Sequence, residues 1–149
     1  MEPREKKEKL SGVREYLEQY LELEEEIQCE RDHLASLRAM VENCTTKLSF
    51  TAGCNPSKDE GRFENDMIDL VEEERRSNER IRQYTMKMAE IKGLVNAVPK
   101  AKHKKILRYK YLKGLKMDEI LDEMTLTRTK GYTILDNALT AASKMYKKG

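Results

Sequence analysis

The sequence is poor in the residues from which compact enzymes and membrane spans are built. It has no tryptophan, two phenylalanines, seven glycines and three prolines among 149 residues. No apolar run approaches the roughly 18 residues that a membrane helix needs, so we expect no membrane partner. The first ten residues carry charge without an apolar segment, so we also expect no signal peptide and a cytoplasmic protein with reduced cysteines. Scarce glycine and the lack of β-branched runs argue against an α/β enzyme.

Charge is abundant and unevenly distributed. Charged residues make up 38% of the chain, and a composition rich in Glu, Lys, Leu and Arg is typical of long solvated helices. Residues 1–98 carry 16 basic and 22 acidic residues, a net charge of −6, whereas residues 99–149 carry 13 and 5, a net charge of +8. Pro99 lies at the junction, and proline disfavours a helical residue before it. We therefore predict two modules, 1–98 and 99–149, the second of which meets a polyanion.

The first module has the seven-residue periodicity of packed helices. One row, in the first half of the module, is Val13, Tyr20, Ile27, Leu34, Val41 and Leu48, and a row in the second half is Met67, Glu74, Ile81, Met88 and Val95. A segment of about 49–63, rich in glycine and proline, separates them and predicts a loop. The fold class is therefore all-α, with a long antiparallel coiled-coil-like hairpin before a second module. Closure within one chain and homodimerisation through the same stripe both remain open.

Polar residues interrupt the apolar rows of the hairpin. We place Glu24, Glu74 and Ser77 inside the seam between the helices. A polar residue in such a seam weakens packing but fixes the register of the two helices. We therefore interpret these three residues as setting the register.

The second module opens with a basic segment. Residues 100–116 contain eight Lys or Arg, one His and no acidic residue, with apolar residues at helical spacing and Gly114 as the predicted helix end. This pattern favours nucleic acid over a solubilising face, because no acid interrupts the positive charge. The two tyrosines make a membrane anchor the poorer interpretation. We expect His103 to be solvated or to face a phosphate.

The remaining residues have the pattern of a helix-turn-helix. A short helix is predicted over Met117–Met124, a turn over Thr125–Thr127, and a longer helix over about 128–146. Thr127 is a good N-cap for that longer helix. In this motif the second helix enters the major groove of DNA.

The stretch LRYKYLKGLKMDEILDEMTLTRTKGYTILDNAL resembles region four of bacterial sigma factors. The resemblance rests on Gly114, on Asp118-Glu119-Ile120, on Thr127-Arg128 and on Ala138-Leu139, at that family's spacing. The whole chain also resembles small phage and prophage proteins of Gram-positive bacteria, which place a helical hairpin before such a region and are related to the ArpU-like regulators. The resemblance implies a bacterial host cell and a regulator of late-gene transcription.

The resemblance also implies which residues touch DNA. Carried over by position, the DNA-binding residues are Thr127, Arg128, Thr129, Lys130, Tyr132 and Thr133, with phosphate contacts from Lys104, Lys105 and Arg108. The expected partners are double-stranded DNA and host RNA polymerase, and the expected function is sequence-specific transcriptional regulation. The alternative is a coiled-coil adaptor whose C-terminal end binds a protein, and a phage packaging factor is a more distant third.

Three residues depart from the sigma-like pattern. The family has Gly where this chain has Thr125, Val or Ile at Gly131, and Ala at Leu121. The turn glycine often has a positive φ, which strains a β-branched threonine. We expect the bulk of Leu121 to fill the space left by Gly131. The departures at Thr125 and Gly131 favour the adaptor alternative.

Other candidate sites are weak. Cys29 and His33 are spaced like two metal ligands on a helix, but no third ligand follows at a recognisable spacing, so we predict no metal. A disulfide between Cys44 and Cys54 is not expected in a reduced cytoplasmic chain. No catalytic triad or phosphate loop is present, so we expect no catalytic residue, no cofactor and no enzyme activity.

Overall fold

The structure, a computed structural model, describes residues 3–51 and 60–146, with side chains over 4–43 apart from Lys6 and over 66–146. Helices account for nearly all of these residues, and no strand occurs among them, so the predicted all-α fold is confirmed. The helices are α1 (Pro3–Thr51), α2 (Glu60–Ala97), α3 (Ala101–Leu107), α4 (Met117–Met124) and α5 (Arg128–Tyr146). A π-helical turn, Arg108–Leu112, continues α3.

The helix ends refine the predicted loop and support the predicted break at Pro99. α1 continues to Thr51 and α2 begins at Glu60, so both helices extend into the segment predicted as a loop, and residues 52–59 lie outside the described residues. α2 ends at Ala97, and Lys100 is extended before α3, with φ −87° and ψ 130°. The break follows from the steric clash between proline and a helical residue before it.

Packing divides the chain into two compact units. One unit combines residues 1–24 with residues 86–149, and the other consists of residues 25–85. The limits of the units therefore lie inside α1 and α2 rather than at Pro99.

The unit of residues 25–85 is an antiparallel helical hairpin. Ile27 and Leu34 are buried along α1 at the predicted seven-residue spacing, and Leu37 is buried beside them. The two helices run in opposite directions. Glu30 of α1 pairs with Arg80 of α2, and Arg38, which lies later in α1, pairs with Glu74, which lies earlier in α2. Within this unit the apolar stripe is therefore covered by the chain itself.

A polar cluster crosses the seam of this hairpin. The Ser77 hydroxyl is fully buried and donates to the Glu30 carboxylate, at 2.5 Å. Arg80 donates from Nε to Glu30, at 2.7 Å, and from Nη2 to Glu73, at 3.2 Å. Hydrogen bonds from Arg80 and Ser77 hold the pKa of Glu30 below its ordinary value. Placing Glu24 in the seam was wrong, because Glu24 is exposed and Glu30 is the acidic residue that bonds across the two helices.

The unit of residues 1–24 and 86–149 has its own hydrophobic core. Val13 and Leu17 of α1 are fully buried in it, beside residues of every later helix. The remaining buried members are Ile91, Val95, Val98, Ile106, Leu107, Tyr111, Ile120, Leu135, Ala138, Leu139 and Ala142. The start of α1 is therefore part of the body that carries the helix-turn-helix.

The basic helix ends where the sequence predicts, at Gly114. The Lys113 amide donates to the Arg108 carbonyl, at 2.9 Å, which widens the last turn of the helix. Gly114 has φ +70°, and a Cβ there would lie 3.1 Å from Leu21 Cδ1. Glycine suits this position because it has no Cβ to oppose either the backbone angle or the close leucine.

Candidate nucleic-acid interface

The turn between α4 and α5 is a Schellman motif. The Leu126 amide donates to the Leu121 carbonyl, at 2.9 Å, and the Thr125 amide donates to the Asp122 carbonyl, at 3.3 Å. This pattern needs a left-handed residue after the helix, and Thr125 has φ 53° and ψ 52°. The predicted positive φ at Thr125 is confirmed. The threonine keeps the turn geometry in which glycine is preferred.

Thr127 caps α5. Its Oγ1 accepts a hydrogen bond from the Lys130 amide, at 3.4 Å, and its carbonyl accepts one from the Gly131 amide, at 2.8 Å. The first of these bonds satisfies an amide that the first turn of a helix leaves without a partner, and the second is the first backbone bond of the helix itself. The cap therefore holds the start of α5 in one conformation, as the sequence predicts.

Leu121 occupies the space beside Gly131. A Cβ built on Gly131 would overlap Leu121 Cδ2 and would lie 3.4 Å from Met117 Cε. Gly131 is buried, whereas Leu121 is half-buried. The predicted compensation is present, because the larger residue on α4 lies where a side chain on α5 would otherwise stand. α4 and α5 thus pack closely at the start of α5.

The predicted base-reading side chains lie together on the exposed start of α5. All six are exposed: Thr127, Arg128, Thr129, Lys130, Tyr132 and Thr133. The Thr133 hydroxyl donates to the Thr129 carbonyl, at 2.9 Å, so its proton is already engaged. Among the described residues no ion pair involves Arg128 or Lys130, and the first turn of α5 contains no acid. Two cations and several hydroxyls therefore face solvent from a capped helix end, where backbone amides add positive potential.

The predicted phosphate-binding residues occupy different surroundings. Lys105 is exposed, with its Nζ 5.9 Å from the centre of the Tyr109 ring, whereas Lys104 is half-buried. Arg108 donates from Nη2 to Asn96 Oδ1, at 2.5 Å, so α2 orients its guanidinium. Lys105 and Arg108 are both exposed, and since Asn96 already engages the guanidinium of Arg108, Lys105 is the freer of the two to bind a phosphate.

Two contacts of charged side chains were not predicted from the sequence. Arg14 of α1 lies 3.7 Å from Asp136 of α5, with both side chains about half-exposed or more. Lys113 Nζ lies 5.0 Å from the centre of the Tyr109 ring, on which Lys105 also converges. The contact of Arg14 joins residues more than a hundred positions apart, so no local pattern predicted it.

His103 is not the solvated residue that we expected. It is half-buried, and its Nδ1 is buried without a hydrogen-bond partner among the described residues. Burial lowers the pKa of His103, and the charge of Lys100 lowers it further. A neutral imidazole at pH 7 does not bind phosphate by charge.

A protein-family model covers α2 and all of the helix-turn-helix except the last turn of α5. Residues 58–143 match the model of DUF1492, described as a protein of unknown function. The chain belongs to the DUF1492 family. No curated protein and no solved structure matches it. The DUF1492 match takes in the turn at Thr125 and the start of α5, so the exposed cluster lies within the part shared with the family.

The described residues do not complete a metal site or a disulfide at the weaker candidate positions. Among the described residues no group of three or more His, Cys, Asp or Glu side chains is arranged to hold a metal. Cys29 is exposed, and His33 Nε2 lies 3.3 Å from Glu73 Oε1. The side chains of Cys44 and Cys54 lie outside the described residues. No helix in the described part of the chain has the length and hydropathy to cross a membrane.

Proposed function

We propose that this DUF1492 protein is a sequence-specific DNA-binding transcriptional regulator of phage or prophage type, with α5 as its recognition helix. The observation that carries the proposal is the exposed start of α5, where Arg128, Lys130, Tyr132 and the neighbouring threonines project from a capped helix held against α4. Arginine and lysine pair with guanine edges in the major groove, and hydroxyls serve bases or phosphates. These are the side chains that direct readout requires.

The charge distribution supports the same proposal. Residues 99–149 carry a net charge of +8, and the ammonium groups of Lys105 and Lys113 lie 5.9 and 5.0 Å from the centre of the Tyr109 ring. Lysines there would hold phosphates and would orient α5 without reading sequence. We propose double-stranded DNA as the main partner and host RNA polymerase as a second, in the cytoplasm of the bacterial host, following the resemblance to sigma region four.

The adaptor is the second candidate function. It rested on Thr125 and Gly131, which depart from the sigma-like pattern. Thr125 adopts the left-handed conformation that the turn needs, and Leu121 occupies the space beside Gly131. The helix-turn-helix geometry therefore accommodates both departures, and the exposed cations at the start of α5 favour DNA over a partner protein.

The test is selection of bound duplexes from a random DNA pool at physiological salt, where non-specific binding is suppressed. Wild type is compared with Arg128→Ala/Lys130→Ala, and each is tested with and without host RNA polymerase. Lys87→Ala/Lys92→Ala is the matched control, because it removes two exposed charges from α2. We expect an enriched site that the control keeps and the α5 variant loses.

Other outcomes have distinct meanings. Enrichment that requires polymerase would assign a sigma-like role that depends on the holoenzyme. A lack of enrichment under both conditions would overturn the proposal and would support the adaptor.

A further inference from the structure

The outer face of α2 exposes large apolar side chains within the hairpin unit. Ile68 and Val71 are 61% and 58% exposed. With Met67 they line an open apolar groove whose edge is formed by Glu72 and Arg75. The buried face of α2, which carries Ser77, is turned away from them. This apolar surface is therefore left over after the hairpin has closed.

The same face carries a second seven-residue repeat, which the sequence analysis did not use. We call it the outer stripe, and its members are Ile68, Glu72, Arg75, Glu79, Arg82 and Met86. The steps between them alternate between four and three residues, so they lie along one side of the helix, as the a and d positions of a coiled coil do. Met86 is 58% exposed, and the side chains of Glu72 and Arg75 are 47% and 67% exposed.

The charges of the outer stripe are complementary to those of a second copy that runs in the opposite direction. Its positions are symmetric about residue 77, so in an antiparallel pair Glu72 of one copy faces Arg82 of the other. Arg75 likewise faces Glu79, and Ile68 faces Met86 at each end. A parallel pair would instead set each charge against its own copy, which is unfavourable. Self-complementarity of this kind is what a twofold symmetric dimer requires.

We propose that the outer stripe of α2 binds a second copy of this chain in an antiparallel, twofold symmetric arrangement. A regulator that reads two DNA half-sites would act as a homodimer, and the proposal names the surface through which that homodimer forms. In that sense it rests on the proposed function. In the single chain Arg75 Nε donates to Glu72, at 2.9 Å, and these two residues exchange partners on pairing. Exposed ion pairs are individually weak and are screened by salt. The dimer is therefore weak and salt-sensitive, and its charge pattern specifies the orientation.

The test uses charge-swapped full-length chains in sedimentation equilibrium without DNA. An acidic variant carries Arg75→Glu and Arg82→Glu, and a basic variant carries Glu72→Arg and Glu79→Arg. Each variant presents a single sign of charge along the stripe, so we expect at least a tenfold weaker self-association than wild type at low salt. An equimolar mixture of the two should restore a heterodimer at or above the wild-type affinity.

The matched control is Arg4→Glu/Arg31→Glu, which makes the same change in net charge at exposed positions of α1. We expect it to weaken the dimer by less than threefold. Wild type that stays monomeric at high protein concentration, or variants that dimerise alone as well as they do together, would overturn the proposal. Since DNA is absent, either failure leaves the proposed readout by α5 unaffected, and circular dichroism of each variant checks that the helices are intact.

Discussion

The packing of Leu121 against Gly131 predicts that substitutions at these two positions are not additive. Gly131→Ala alone introduces a methyl group that overlaps Leu121 Cδ2. Overpacking costs about 1–3 kcal/mol, and the better helix propensity of alanine offsets about 1 kcal/mol of it. Leu121→Ala alone removes a half-buried side chain, so we expect the lower end of the ~2–5 kcal/mol range for cavity formation.

The double variant should recover part of both losses. With Leu121 shortened, the new methyl on residue 131 no longer meets an obstacle and fills part of the space that the leucine vacated. We expect a coupling free energy of about 1–2 kcal/mol, with Leu121→Ala/Gly131→Ala at least as stable as Leu121→Ala alone. Urea denaturation followed by circular dichroism gives the four free energies of unfolding in the cycle.

Gly93 provides the control for helix propensity. A Cβ built there meets nothing within 4 Å, so Gly93→Ala should stabilise by up to about 1 kcal/mol. This gain should be the same in the wild-type chain and in the Leu121→Ala variant. If Gly131→Ala and Leu121→Ala are instead additive within ~0.3–0.5 kcal/mol, the compensation does not exist.

Three further predictions concern the turn, the basic helix and the hairpin. Thr125→Gly should raise the free energy of unfolding by up to about 1 kcal/mol, because glycine relieves the left-handed strain, and a destabilised variant in a urea titration would contradict this. Lys105→Ala should weaken DNA binding about equally for all sequences and should lower the salt slope by about one, which fluorescence anisotropy at several salt concentrations measures. The pKa of Glu30 is lower in the folded chain than in the unfolded chain. The contribution of Glu30 to the free energy of unfolding is therefore complete above its pKa in the unfolded chain and is lost as the pH falls through its lower pKa in the folded chain. Thermal unfolding between about pH 2 and pH 6 should therefore show a smaller loss of stability in Glu30→Gln than in the exposed control Glu25→Gln, and equal losses would refute this.

Much of the fold follows from spacing along the chain. Apolar residues at seven-residue intervals must share one side of a helix. Val13, Ile27 and Leu34 of the first predicted row are buried. In the second row Val95 is buried and the other members are half-buried. Pro99 and Gly114 mark helix ends because their backbones exclude or permit particular dihedral angles. The geometry of the turn was likewise predictable, since Thr125 occupies a position that the resemblance links to a positive φ.

Contacts between distant segments were not predictable in the same way. An apolar stripe indicates that a partner exists but does not identify it, so the burial of Val13 and Leu17 with the C-terminal helices had no signal in the sequence. The pairs of Arg14 with Asp136 and of Arg108 with Asn96 are likewise set by tertiary packing. For the candidate interface the sequence located the exposed cluster on α5, whereas the engagement of Arg108 and the burial of His103 emerged from the fold.

The central claim is that the start of α5 reads bases and that the basic helix holds phosphates. The most direct measurement compares the base-preference profiles of wild type, Arg128→Ala and Lys105→Ala, each determined from the same DNA pool at one salt concentration. We predict that Arg128→Ala loses ~1–3 kcal/mol of discrimination at particular base pairs, whereas Lys105→Ala binds more weakly with its profile unchanged. An unaltered profile in Arg128→Ala, with binding retained, would contradict the assignment of α5 as the reading helix.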